Sequence, residues 1–184
     1  MVGRRRRLRP VHGRQAGRAG GGVSVSEVDG ATLRQALGQF PTGVALVTTR
    51  GADGQPVGLT INSLAALSLQ PPLLLWSLMN RSANRPVFDA CSHFAVHVLG
   101  AHQTDLARRF ADPRVADRFA GLAWTPGLGG APLLADALVH LQCALHRRDE
   151  GGDHTLYIGR VLAVQQQAQG EPAVYWRGQF ASVA

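Results

Sequence analysis

Residues 137–167 contain two long, largely apolar runs on either side of the charged, glycine-rich stretch DEGGD at residues 149–153. In the second run, alternation places His154 and Leu156 on one face and Tyr157 on the other. Two such runs joined by a short turn containing Gly and Asp predict an antiparallel hairpin. A hairpin of this length needs a sheet with a buried face, so it directs the chain toward a β fold.

Shorter strand patterns fill much of the remaining chain. The β-branched runs at 42–50 and 56–62 flank the turn-forming GADGQP and predict a second hairpin. Pro71 and Pro72 separate two more strands within LAALSLQPPLLLWSL, because proline cannot donate to a sheet ladder. HFAVHVLG and PAVYWRGQF each predict one strand, and residues 121–136 predict a connector with short strands. The pattern therefore predicts six or seven strands joined mostly by antiparallel turns.

Helical patterns are few and short. Ser26 or Asp29 can cap a helix that Pro41 ends. SANRPVFDACS predicts another short helix, and HQTDLARRFADPRVADRFAG predicts a helical stretch interrupted by Pro113. Strands and helices do not alternate regularly, which disfavours a doubly wound parallel sheet. The prediction is a mainly β fold with flanking helices, arranged as a small antiparallel barrel.

The positive charge of the chain is concentrated at its start. The formal net charge is +7, and seven of the 19 basic residues lie within residues 1–18, which leaves 12 arginines and 12 acids in the rest. The arginine- and glycine-rich start has too few apolar residues to offset the entropy of ordering. We therefore expect a disordered tail at 1–25 and a single domain at 26–184. Nucleic-acid binding through the tail is an alternative that the neutral remainder disfavours.

Several functional classes find no support in the sequence pattern. No apolar run reaches the roughly 18–20 residues that span a membrane, and no apolar segment of a signal peptide follows the first arginines, so a cytoplasmic location is expected. The common dinucleotide, P-loop, serine-hydrolase and zinc-protease motifs are absent. His93 and His97 share one face of a strand, where the pattern predicts solvent exposure rather than a metal site.

Three segments are richer in glycine and polar residues than strands require, namely GLTINSLAALSLQPP (58–72), WSLMNRSANRPVF (76–88) and GGDHTLYIG (151–159). Together with FPTGVALVTT, HFAVHVL, the HQTDLARRFA helix and RFAGLAW, they resemble the flavin reductase family with the FMN-binding split barrel. Members of that family are the reductase components of two-component flavin-dependent monooxygenases. The resemblance covers residues 33–181, and its Gly-Asp-His stretch is the most distinctive part.

The resemblance implies an antiparallel split β-barrel, a homodimer, and FMN or FAD that is reduced by NADH or NADPH and released to a separate monooxygenase. It implies His154 as the catalytic candidate, resembling the group that orients the nicotinamide. The implied cofactor-binding residues are Thr60, Ile61, Asn62, Ser63, Ser77, Leu78, Asn80, Arg81, Ser82, Gly152, Asp153 and His154.

The residue types in this set fit a flavin. Thr60, Asn62 and Ser63 offer uncharged hydrogen-bonding groups for the edge of an isoalloxazine ring, and residues 80–82 offer cationic and hydroxyl donors for a phosphate. One departure concerns Ala65 and Ala66, which stand where the family usually has hydroxyl groups, so side-chain bonds to the flavin are not expected there.

Simpler alternatives stay open at each position. Residues 80–82 also fit a solvated turn, and His154 with Asp153 also fits a cap at a hairpin tip. Tyr175 and Trp176 can cover the flavin or, as their residue type favours, pack in the core or an interface. Two other functional classes remain: a non-enzymatic flavin-binding or electron-transfer module, and a nucleic-acid-binding protein that uses its tail.

Overall fold

The computed structural model describes residues 27–183, so the predicted tail at 1–25 lies outside the described residues. Two short 3₁₀ turns occur at Ala101–Gln103 and Leu128–Gly130. The helices and strands are α1 (Gly30–Leu37), β1 (Thr42–Gly43), β2 (Ala45–Arg50), β3 (Pro56–Ile61), β4 (Ala65–Leu69), β5 (Pro72–Met79), α2 (Arg85–Ala90), β6 (His93–Val98), α3 (Thr104–Ala111), β7 (Trp124–Pro126), β8 (Pro132–Leu134), β9 (Val139–Gly151), β10 (His154–Gln166), β11 (Val174–Trp176) and β12 (Gln179–Ala181).

Seven strands form one antiparallel sheet in the order β3-β2-β6-β9-β10-β5-β4. Strands β1, β11 and β12 form a second small sheet, and β7 pairs with β8. The prediction of a mainly β, antiparallel fold with few helices is confirmed. The two edge strands of the large sheet, β3 and β4, are consecutive in the chain and are separated only by residues 62–64.

The longest hairpin, β9–β10, ends where the sequence predicts its turn. His154 pairs with Gly151, which leaves Gly152 and Asp153 as the two turn residues. Gly152 has φ +67°, a left-handed conformation that favours glycine at the first central position of a tight hairpin turn. The turn itself therefore requires a glycine at position 152. From the sequence alone, this role could not be distinguished from a role in allowing a ligand to approach closely.

Apolar side chains cover both faces of the large sheet. One cluster centres on Trp76, which is fully buried and stacks on Tyr157 with ring centroids 4.5 Å apart. Its other buried members are Ala45, Val47, Ile61, Leu74, Leu78, Phe88, Phe94, Val96 and Cys143. The second cluster lies beneath α3 and the C-terminal strands and contains Val44, Leu46, Leu99, Ala107, Phe110, Phe119, Leu134 and Ala173. Strands between the clusters, such as β2, are buried on both sides.

The predicted exposure of His97 is wrong, because residues near β8 cover the outer face of β6. His97 is fully buried, its Nδ1 donates to the carbonyl of Leu46 at 3.3 Å, and its Nε2 accepts from the amide of Leu134 at 3.3 Å. Burial lowers the pKa of His97 to about 4. Its cross-strand neighbour His140 donates instead to the carbonyl of Leu134 at 2.7 Å. Both rings are structural, and no cluster of three or more metal-ligating side chains occurs within residues 27–183.

Two further differences from the sequence prediction are local. The helix at 104–111 does not resume after Pro113, where the chain forms turns. PAVYWRGQF forms two short strands, because Arg177 at φ +50° and Gly178 at φ +82° reverse the chain between β11 and β12. None of the helices described between residues 27 and 183 has the length and hydropathy of a membrane span.

Candidate active site

The predicted site residues on β5 point to opposite faces of the sheet. Leu78 is buried beside Trp76, whereas Ser77 and Met79 lie on the other face. Met79 pairs directly with His154, so His154 and Ser77 share this outer face. The side chain of Leu78 therefore belongs to the core, and any contact that Leu78 makes with a ligand would involve its backbone.

Ser63 joins the loop after β3 to strand β5. Its Oγ accepts a hydrogen bond from the amide of Ser77 at 3.0 Å and donates to the carbonyl of Ser77 at 3.3 Å. This reciprocal pair brings residues 62–63 next to the outer face of β5. Ser77 lies about 7 Å along the strand from Met79, which is opposite His154. Ser63 therefore lies beside Ser77 on one side of β5, and His154 lies beside Met79 on the other side of this strand.

Residues after β5 contact the tip of the β9–β10 hairpin. The Asn80 amide donates to the carbonyl of Asp153 at 2.9 Å, and its side-chain Nδ2 donates to the carbonyl of Gly152 at 3.0 Å. Thr155 donates its hydroxyl to Asn80 Oδ1 at 2.8 Å. Two of the predicted segments, 80–82 and 152–154, are therefore joined directly.

His154 is oriented by its neighbour in the chain. Its Nδ1 lies 2.7 Å from Asp153 Oδ1, and because a carboxylate only accepts, Nδ1 carries the hydrogen. In the neutral ring, Nε2 then has a free lone pair and acts as a hydrogen-bond acceptor. The hydrogen bond from His154 lowers the pKa of Asp153, with a smaller contribution from the charge of Arg81. The His154 side chain is about one-third exposed, so it can meet a ligand from solvent.

Residues 81 and 82 have free hydrogen-bonding capacity. Arg81 is exposed and takes part in none of the ion pairs formed within residues 27–183. Ser82 Oγ accepts a long bond of 3.3 Å from the Asn84 amide, which leaves its O–H to donate elsewhere. A cation and a hydroxyl donor side by side are suited to a phosphate.

A pocket of about 420 Å³ lies between the end of β3, helix α3 and the β11–β12 hairpin. Its mostly apolar wall with a few polar groups is typical of small-molecule sites. His154 is not among the lining residues. Asn62 lines the pocket, and the next residue, Ser63, hydrogen-bonds to Ser77 on β5. The lining residues are Val44, Thr60, Ile61, Asn62, Ala107, Arg108, Ala111, Tyr175, Gly178, Gln179 and Phe180.

The predicted residues at the end of β3 and directly after it have different roles in this pocket. Asn62 is exposed at its rim with its amide available. The Thr60 hydroxyl donates to the carbonyl of Ala107 at 2.6 Å, so its hydrogen is committed to anchoring α3. Ile61 is largely buried in the core and reaches the pocket only in part. Of the three, Asn62 is the best placed to bind a ligand.

Sequence reasoning missed most of the far wall of the pocket. Tyr175, for which packing was the favoured role, lines the pocket with Phe180, and the two rings lie 5.5 Å apart. Arg108 stacks over Phe180 at 4.8 Å and also lines the pocket. Tyr175 and Phe180 are more than 100 positions from Asn62, and their aromatic character near the C-terminus was the available signal. Arg108 lies in the HQTDLARRFA helix that carries part of the family resemblance, but its residue type did not mark it as a pocket residue.

Comparison with known proteins identifies the family of the chain. The family described as Flavin reductase like domain matches residues 37–184. The reductase subunit HsaB of a flavin-dependent monooxygenase from Rhodococcus jostii is 37% identical over 163 residues, covering 89% of this chain and 83% of HsaB. An NADH-dependent FAD reductase from Streptomyces globisporus is 41% identical over 160 residues, covering 85% of this chain and 87% of that protein.

A solved structure extends the similarity to three dimensions. It is the Streptomyces globisporus NADH:FAD oxidoreductase SgcE6 in complex with NAD and FAD fragments, with a TM-score of 0.80 and 40% sequence identity. The alignment covers 86% of this chain and 98% of that one. The antiparallel fold of this chain is thus shared with a flavin-reducing enzyme. The chain belongs to the flavin reductase family, which confirms the resemblance seen in its sequence.

Proposed function

We propose that this protein is an NAD(P)H:flavin oxidoreductase that transfers hydride from NADH or NADPH to FMN or FAD and supplies the reduced flavin to a separate monooxygenase. One observation supports this function above others. The three segments with flavin-binding character meet around one end of β5, through the Ser63–Ser77 and Asn80–hairpin hydrogen bonds. The relatives named as a monooxygenase reductase subunit and an NADH-dependent FAD reductase support the same reaction and the same partner.

The connection between β3 and β4 supports a split barrel. A flat sheet of seven strands would place its edge strands about 29 Å apart, at about 4.8 Å per neighbouring pair. The chain from Ile61 to Ala65 can span at most about 15 Å. The sheet must therefore curl until its edges approach each other, and Ser63 bridges the remaining gap to β5. We infer an incompletely closed barrel whose opening carries the site.

The donor set of this chain fits a flavin. Asn62 offers an uncharged amide beside an apolar pocket with the aromatic rings of Tyr175 and Phe180, which suits a flat heteroaromatic ring. Arg81 and Ser82 offer charged and neutral donors for a phosphate. A bound flavin supplies the hydride-accepting chemistry itself. The protein needs to bind the ring, keep its edge in contact with uncharged donors, and place the nicotinamide against it.

His154 is suited to orienting the nicotinamide. With Nδ1 committed to Asp153, the free Nε2 of the neutral ring can accept a hydrogen bond from the amide group of the nicotinamide carboxamide. This contact fixes the rotation of the pyridine ring without a proton transfer. We therefore assign His154 to binding and orientation, not to acid–base catalysis.

Steady-state kinetics tests the proposed function. Purified full-length protein is mixed with NADH or NADPH and with FMN, FAD or riboflavin, and nicotinamide oxidation is followed at 340 nm. We expect turnover with at least one pair, and a lower KM for FMN or FAD than for riboflavin, because Arg81 and Ser82 contact the phosphate. Absence of turnover in all six combinations, with flavin binding retained, would favour the non-enzymatic module instead.

We also propose that residues 26–184 form one domain that assembles as a homodimer. The family match over 37–184 supports the domain. Exposed apolar residues support the dimer, since patches of this kind mark interaction surfaces. Several occur on α1, which buries none of its residues, or just after it, on β4, and on the distal half of β10. They are Leu33, Leu37, Phe40, Leu67, Leu69, Leu162 and Val164.

Leu69 is the most exposed of these apolar residues, at 88% of its surface. We expect sedimentation equilibrium to give the mass of two chains, and Leu69→Asp to shift the protein toward monomer, because a charge in an apolar interface lacks a partner. Leu128→Asp, on an exposed leucine outside these three elements, serves as the control. A monomeric wild-type protein at micromolar concentration would contradict the proposed assembly.

A further inference from the structure

Asn80 makes three hydrogen bonds that surround His154. Its amide and Nδ2 bind the carbonyls of Asp153 and Gly152, and its Oδ1 accepts from the hydroxyl of Thr155. Asp153 and Thr155 are the residues directly before and after His154, and Gly152 is two positions before it. We propose that Asn80 is a positioning residue that couples the flavin-phosphate turn at 81–82 to the nicotinamide-orienting imidazole of His154. This inference rests on the proposed function and goes further by assigning coupling between its two binding steps.

The side chain of Asn80 is better matched to this role than to binding flavin. Thr155 is 95% buried and its hydroxyl needs an acceptor, which Asn80 Oδ1 supplies. Nδ2 already donates to Gly152 at 3.0 Å. Both ends of the side-chain amide therefore already bond to the β9–β10 hairpin. Asn80 stays a predicted cofactor-binding residue, and its observed contacts are with the hairpin.

The contacts also extend the sheet ladder. Met79 and His154 are the last paired residues of β5 and β10, and the bond from the Asn80 amide to Asp153 adds one further rung beyond them. Arg81 and Ser82 follow Asn80 without an intervening residue. A phosphate held by Arg81 and Ser82 therefore restrains the same backbone that holds the hairpin tip. Without the Asn80 side chain, the Gly152–Asp153 turn would keep only its own ladder and the backbone bond from the Asn80 amide.

This arrangement predicts a thermodynamic coupling. A phosphate bound at residues 81–82 would restrain Asn80 and, through it, the hairpin tip. NADH would then bind to an imidazole that is already positioned, so its binding would carry a smaller entropic cost. By linkage, FMN should raise the affinity for NADH, and NADH should raise the affinity for FMN by the same factor. Riboflavin, which lacks the phosphate, should not produce this effect.

A double-mutant cycle tests the proposal. Asn80→Ala is expected to raise the KM for NADH about tenfold with FMN as acceptor, while the Kd for FMN changes by less than about threefold. In the His154→Ala background the same substitution should change the KM for NADH by less than about twofold, because the group through which Asn80 acts is gone. In the wild-type protein the KM for NADH should be lower with FMN than with riboflavin. In Asn80→Ala the two KM values should be equal.

Two further variants separate positioning from general destabilisation. Thr155→Val removes one of the three bonds and should give a smaller rise in the KM for NADH, of about two- to threefold. Asn84→Ala changes an asparagine of the same loop whose side chain makes no capping bond to α2, and should leave the kinetics unchanged. Circular dichroism melting of each variant shows whether the fold is retained.

The outcomes are distinct. An effect of Asn80→Ala that is equally large with and without His154 would overturn the coupling, as would a loss of FMN affinity comparable to the loss of NADH affinity. Turnover by the wild-type protein supports the proposed function whatever Asn80 does. Absence of wild-type turnover would remove the proposed function and this inference together.

Discussion

His154→Ala is expected to lower kcat/KM for NADH about 100-fold while the Kd for FMN stays within about threefold of wild type. The imidazole is held by Asp153 at 2.7 Å and by the hairpin that Asn80 anchors, so its free Nε2 has a fixed direction. Loss of that acceptor leaves the nicotinamide free to rotate out of the geometry for hydride transfer. Because orientation of this kind accounts for large rate factors, the effect falls mainly on the nicotinamide step.

His146→Ala provides the matched control for this prediction. His146 lies on the same hairpin and is exposed, but on β9 and away from the tip. Stopped-flow measurement of flavin reduction under anaerobic conditions separates the hydride step from flavin release. Equal rates of flavin reduction in wild type and His154→Ala would show that the imidazole does not orient the nicotinamide.

The strands were predictable because their signals are local. GADGQP and DEGGD each place turn-forming residues between two apolar runs, and both hairpins form where these stretches occur. The outer face of β6 was not predictable in this way. Whether His97 meets water depends on a segment near residue 134, almost 40 positions later, and alternation within the strand carries no information about such a cover.

The candidate site shows the same division between local and distant information. The sequence identified the three segments that meet around the end of β5, because their polar and glycine content exceeds what strands require. It did not reveal which hydrogen-bonding groups are already used. The hydroxyl groups of Thr60 and Ser63 already donate to the carbonyls of Ala107 and Ser77. Asn62, Arg81 and Ser82 still have donors that a ligand can use. That distinction depends on tertiary contacts, as does the pocket wall formed by Tyr175 and Phe180.

Trp76→Ala is expected to destabilise the protein by about 3 kcal/mol, near the lower end of the range for a buried tryptophan. Trp76 is fully buried, stacks on Tyr157 at 4.5 Å and meets Phe88 edge-on at 5.1 Å. Its removal leaves a cavity against the inner face of β5 and β10, the two strands that carry Ser77 and His154. The loss is partly offset because Trp76 Nε1 has no hydrogen-bond partner within residues 27–183, so the substitution also removes an unsatisfied buried donor.

Trp176→Ala tests whether burial, rather than residue type, sets this loss. Trp176 is only partly buried, donates its Nε1 to the carbonyl of Gln39 at 3.1 Å and lies on the small sheet with β1. Urea denaturation followed by circular dichroism should give a loss of about 1–2 kcal/mol for Trp176→Ala, less than for Trp76→Ala. Trp76→Phe should recover much of the stability, because the ring stack survives without the unpaired N–H. Equal losses for the two alanine variants would contradict the assignment of Trp76 to the centre of the core that holds the site-bearing strands together.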